Sequence, residues 1–112
     1  MDIKTILLWV CIIVFALPAL FFGFQKVKQN PELLTNFTRW GYPKLFMILL
    51  GATEIVTAIG LFFSPTRLSA IYVYGIILVG AIFTHLKAKD KIKDVIAPVF
   101  VSVLLAGIYF LQ

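Results

Sequence analysis

The sequence predicts an all-α membrane protein: a four-helix transmembrane bundle, up-down and antiparallel, with a short amphipathic interfacial helix between helices 1 and 2. Three observations predict it. Hydrophobic residues make up 62% of the 112 positions and charged residues only 13%, against soluble averages of ~45–50% and ~25%. Four apolar runs, at 6–24, 45–63, 68–86 and 95–111, each approach the ~20 residues that a helix needs to cross the hydrocarbon core. The basic residues behind the net charge of +5 fall in the connections between these runs. They therefore point to anionic headgroups rather than nucleic acid. The length fits one integral membrane domain, 1–112.

The first run, Ile6 to Phe24, exceeds the ~7–15 apolar residues of a signal-peptide core, and no A-x-A-like site follows it, so it reads as a retained helix. Pro18 removes one backbone hydrogen bond within it and leaves the carbonyl of Val14 to find another partner. Lys26, one turn beyond Gly23, either snorkels to the headgroups or points into a site between helices.

The long connection Gln25–Lys44 carries the amphipathic helix, over about 31–41. Asn30 before Pro31 and Glu32 is a helix start with proline at the first position. Leu33, Leu34, Phe37 and Trp40 recur at helical spacing, so the helix lies at the interface or folds over the bundle mouth. Gly41 ends it, and Pro43 prevents its continuation. Trp40 and Tyr42 have the character of interface anchors.

The second run, Leu45 to Phe63, holds one ionisable residue, Glu54, near its midpoint and roughly 13 Å from either end at ~1.5 Å per residue. A charged side chain at that depth costs ~2.5–3.5 kcal/mol or more, so Glu54 faces protein or water. Gly51 and Ala58, one turn to either side, give that face a narrow profile that admits a close neighbour. Two readings stay open: a carboxyl that glues helices together, or a ligand or proton site. Lys26 and Glu54 are expected about half a membrane apart, so that they pair directly only if the Pro18 kink or a re-entrant loop shortens the gap. Glu54 is expected instead to meet a hydroxyl, a water, a tyrosine or the carbonyl freed by Pro18.

Ser64-Pro65-Thr66-Arg67 is a tight turn that makes the second and third runs antiparallel neighbours. In the third run, Tyr74, Ala81 and His85 share a stripe, and His85 sits at its membrane end. One histidine, one distant glutamate and the lone Cys11 form no metal-ligand set, so no metal is expected. A charged link, Lys87 to Asp94, leads to the fourth run, which contains Pro98 and Gly107. The first and third connections carry Lys26, Lys28, Arg39, Lys44, Lys87, Lys89, Lys91 and Lys93, against Lys4 and Arg67 on the other side. Positive residues favour the cytoplasm, which puts both termini outside.

The sequence resembles the DoxX and DoxX-like family of small four-helix membrane proteins. The matching residues are Phe22-Gly23-Phe24-Gln25-Lys26, Asn36-Phe37-Thr38-Arg39-Trp40-Gly41-Tyr42-Pro43, Gly51-Ala52-Thr53-Glu54, Ser64-Pro65-Thr66-Arg67-Leu68 and Thr84-His85. The family positions among them are Gly23, Lys26, Gly41, Pro43, Glu54 and His85. The resemblance implies an accessory subunit of a membrane redox system in a bacterial inner membrane, either quinone-linked or partnered with thiol and superoxide defence. It also admits a non-enzymatic assembly or scaffolding partner of a larger membrane complex, or a homo-oligomer. The single cysteine leaves no pair for thiol exchange. Candidate ligand-binding or proton-accepting residues are Glu54, Lys26, His85 and Tyr74, with Gly23, Gly41, Pro43 and Gly51 as structural positions and a quinone as the candidate cofactor.

Overall fold

The computed structural model describes residues 2–112. They form α1 (Ile3–Val27), α2 (Pro31–Trp40), α3 (Lys44–Gly60), α4 (Ser64–Lys87) and α5 (Ile92–Leu111), with no strand among them. The long axis is 46 Å, close to the ~40–45 Å of a bilayer with its headgroups. Helices α1, α4 and α5 are each long and apolar enough to cross a membrane. A fourth crossing exists only if α2 and α3 are taken together, and these are bent by 116° at the intervening break.

The helix limits differ from the apolar runs for local reasons. Asp2 caps α1 by accepting from the Thr5 amide at 2.9 Å, so α1 begins three residues before its apolar run. The run 45–63 does not form one helix: α3 stops at Gly60, and Leu61 to Phe63 are the turn. The first turn of α4 supplies the donors that α3 lacks at its end. Thr66 Oγ1 donates to Gly60 O at 2.7 Å, and Arg67 Nε donates to Leu61 O at 2.7 Å. Residues 64–67 are therefore helix rather than turn, and they satisfy carbonyls that would otherwise be orphaned.

Three helices end in the same hydrogen-bonded form. After α1, Asn30 N donates to Gln25 O and Gln29 N to Lys26 O, with Gln29 at φ 62°. After α2, Tyr42 N donates to Phe37 O and Gly41 N to Thr38 O, with Gly41 at φ 88°. After α4, Asp90 N donates to His85 O and Lys89 N to Leu86 O, with Lys89 at φ 57°. In this ending a left-handed residue turns the chain back over the last helical turn. Asn30 then also caps α2, accepting from the amides of Glu32 and Leu33.

The main packing runs α1 on α3, α1 on α5, α4 on α5 and α3 on α4. One half of the molecule is filled. Leu8, Ile12, Phe15, Ala16 and Ala19 of α1 meet Ala58 and Leu61, Ala70, Ile71, Tyr74 and Leu78 of α4, and Leu105 and Ile108 of α5 in one buried cluster. Many large apolar side chains outside it face outward, Ile76 and Phe110 among the most exposed. That is a costly surface in water but a matched one in lipid.

Candidate functional site

The other half of the molecule is hollow. A cavity of about 670 Å³ lies between the end of α1, all of α2, the first half of α3, the end of α4 and the start of α5. Lys26, Glu54 and His85 line it, together with Phe22, Phe37, Trp40, Tyr42 and Phe46.

Glycine placement decides how its charged wall is built. A Cβ on Gly23 would stand 2.9 Å from Gly51 O and 3.4 Å from the Cβ of Glu54. A Cβ on Gly51 would stand 2.6 Å from both Gly23 O and the Cβ of Lys26. The two helices are therefore antiparallel here, and each glycine lies across from the other helix's charged residue. Two side chains of ordinary size at these points would hold the backbones apart. With glycine at both, Lys26 reaches Glu54 one turn away and donates to Oε2 at 2.7 Å and Oε1 at 3.0 Å.

This corrects the expected separation of about half a membrane, at which Lys26 and Glu54 pair only if a kink or a re-entrant loop shortens the gap. That separation assumes both helices end at one membrane level. In the structure α1 runs on to Val27, and its last turn lies level with the middle of α3. The partner of Glu54 is thus an ammonium, not a hydroxyl, a tyrosine or the carbonyl released by Pro18. The pair is largely enclosed, with side-chain exposures of 15% for Lys26 and 6% for Glu54.

A second polar cluster forms the roof, and Asp90 is its centre. Its carboxylate accepts from Arg39 Nη1 at 2.8 Å and from Trp40 Nε1 at 3.3 Å, both on α2. His85 Nδ1 lies 2.7 Å from Oδ2, and the His85 ring meets Trp40 edge-on at 5.2 Å. The turn-back at Lys89 is what brings Asp90 over His85. These donors, Arg39 first and His85 next, hold the Asp90 carboxyl below the usual aspartate range. Beside it, Tyr42 OH and Thr84 Oγ1 are 2.8 Å apart, while Thr84 Oγ1 also donates to Gly80 O. Tyr42 is then the donor to Thr84.

The remaining expected residues fall as follows. Tyr74 packs in the filled half, edge-on to Phe15 at 4.7 Å, and does not line the cavity. Gly41 provides the left-handed turn between α2 and α3, and Pro43 is the N-cap of α3. Arg39, Trp40, Asp90, Lys93 and Asp94 were not expected at a site. Asp90 lies in a link that reads as a run of solvated charge, and only its spacing from His85 across a helix end hints at its role.

A family model described as the DoxX-like family matches residues 10–108, a span that holds both the glycine crossing and the roof. The chain belongs to the DoxX-like family. No curated protein and no solved structure matches it. For a DoxX-like membrane protein of this size, the Lys26–Glu54 pair is costly to bury, because removing two charges from water is repaid only by good geometry and full hydrogen bonding. Both contacts from Lys26 have that geometry. Chemically, the wall offers an ammonium donor beside a carboxylate acceptor, facing an otherwise mostly aromatic and aliphatic chamber.

Proposed function

We propose that this DoxX-like protein binds a small amphipathic molecule in the cavity, its polar head at Lys26–Glu54 and its apolar body among Phe22, Phe37 and Phe46. The observation that carries this reading is a charge pair on the wall of a cavity that fits a ligand-sized molecule. Such chambers, mostly apolar with a few convergent polar groups, are the usual form of small-molecule sites. Within that class a quinone is the first candidate. Its carbonyl oxygens accept hydrogen bonds, which suits the Lys26 ammonium. The Lys26–Glu54 pair could pass a proton to a carbonyl being reduced, with electrons supplied by a redox partner of which this chain is the accessory membrane subunit.

The proposed setting is a bacterial inner membrane, with the first and third connections on the cytoplasmic side, where the positive residues concentrate. Native mass spectrometry of gently extracted protein tests the proposal. A small-molecule adduct that is retained by the wild type and lost in the Lys26→Met, Glu54→Leu double variant, with its fold intact, supports it. Phospholipid alone on both proteins, with no uptake of added quinone, overturns it. An assembly role is a second reading, favoured by the first half of α5, which buries no residue before Leu105 and so presents a face to another membrane protein or a second copy.

A further inference from the structure

We propose that the cavity is entered from the bilayer through the wall formed by the first half of α5, and that its ligand is a membrane-dissolved amphiphile. This rests on the binding reading above and adds the route and the physical class of the ligand.

The walls of the cavity are held very unequally. On the water side, α2 is pinned by directional bonds: Arg39 and Trp40 to Asp90, and Tyr42 to Thr84. Phe37 is buried beneath it, in contact with the rings of Trp40, Tyr42 and Phe46. Opening this roof breaks charge-assisted hydrogen bonds, which are about twice as strong as neutral ones.

The α5 wall is different. Lys93, Asp94, Ala97 and Pro98 line the cavity, yet α5 buries only Leu105 and Ile108, both in its second half. Among the described residues no ion pair ties its first half to another helix, and the Ser102 hydroxyl is turned inward on its own helix to Pro98 O. On α1, Phe22 lines the same cavity while standing 52% exposed.

In a bilayer, apolar helix contacts gain no hydrophobic driving force, because lipid tails replace them at little cost. Swinging the start of α5 outward therefore exchanges protein contacts for lipid contacts. Pro98 removes a backbone hydrogen bond to Asp94 O in the first half of the helix and gives it a natural point of bending. The Leu105–Ile108 half stays anchored in the filled core. A ligand using this route arrives head-first from among the acyl chains, and its tail lies in the gap between Phe22 and Ala97.

The test uses the whole protein in lipid vesicles, with Cys11→Ser and Trp9→Phe so that Trp40 reports alone from the cavity. Two cysteine pairs are compared, each closed with a short dithiol-reactive crosslinker. Phe22→Cys with Ala97→Cys closes the side wall. Tyr42→Cys with Thr84→Cys, which face each other across α2 and α4, closes the roof and keeps Arg39, Trp40 and Asp90. Each rate is compared with that of the same protein before crosslinking. The probe is a decyl-substituted benzoquinone added to the membrane, read by the saturable quenching of Trp40. Closing the side wall should slow quenching by about tenfold or more, with recovery on reduction, and closing the roof should leave the rate unchanged. Slowing by the roof crosslink with no effect of the side crosslink overturns the route while leaving binding intact. Absence of saturable quenching in the uncrosslinked protein overturns the binding reading itself, and the route with it.

Discussion

Gly51 stands opposite Lys26 so closely that a methyl group added to Gly51 would sit 2.6 Å from the Lys26 Cβ. The space for the ion pair is therefore set by a missing side chain on the facing helix. Gly51→Ala should push α1 from α3 and lower stability by about 1–3 kcal/mol, the usual cost of overpacking. Gly23→Ala should cost less, since one of its two close neighbours at 2.9 Å is the Ile55 side chain, which can turn away. Thermal unfolding midpoints in one detergent check the order, and equal midpoints for Gly51→Ala and wild type would contradict it.

Removing one member of an enclosed ion pair strands the other. Glu54→Leu, which leaves the Lys26 ammonium unpaired, should destabilise by about 3–5 kcal/mol. Lys26→Met with Glu54→Leu should recover much of this loss, because both charges are then gone. Glu54→Gln keeps an acceptor for Lys26 and should fold normally while impairing proton-linked activity. A double-mutant cycle gives the coupling directly; strictly additive losses would mean that the pair is not formed.

The roof should respond to acid in a particular range. Asp90 is held below its ordinary value of 3.8, first by Arg39 and then by His85. A carboxyl depressed in the folded state contributes stability above its ordinary value and loses it as pH falls through the depressed one. Arg39 keeps its charge throughout, so the part of the Trp40 emission change that depends on Asp90, read in a Trp9→Phe protein, should fall below pH 3.8. Asp90→Asn should show the acid-type emission already at neutral pH. An unchanged Asp90→Asn spectrum would remove Asp90 as the roof's anchor.

Membrane-impermeant thiol reagents should reach Lys28→Cys and Lys89→Cys, on a Cys11→Ser background, only from the cytoplasmic side. Both residues lie in the connections that carry most of the positive charge. Labelling confined to the outer side would reverse the proposed orientation.

The helices were readable because apolar runs and capping residues such as Asn30 and Gly41 are local signals. The division between α3 and α4 was not. It depends on Thr66 and Arg67 reaching carbonyls of the preceding helix, which only the folded turn shows. The Lys26–Glu54 pair was hidden for a different reason. Sequence gives the length of each helix but not how far one slides along another, and that offset is fixed here by Gly23 and Gly51 in contact. Asp90 was hidden because its donors come from two helices, Arg39 and Trp40 on α2 and His85 on α4.

The 17 residues of α3 span only ~25 Å at ~1.5 Å per residue, short of the ~30 Å hydrocarbon thickness. The 25 residues of α1 and 24 of α4 reach ~36–37 Å by the same rise. The shortfall against the hydrocarbon is thus greatest at one corner of the molecule, where α2 turns aside at 116°. There the bilayer must dip to meet Arg39 and Lys28, or these side chains must stretch up to the phosphates. Longer acyl chains would load that corner first, then α5, whose 20 residues reach only ~30 Å, and α1 and α4 last. Membrane thickness would then act on the cavity roof before it acted on any other part of the protein.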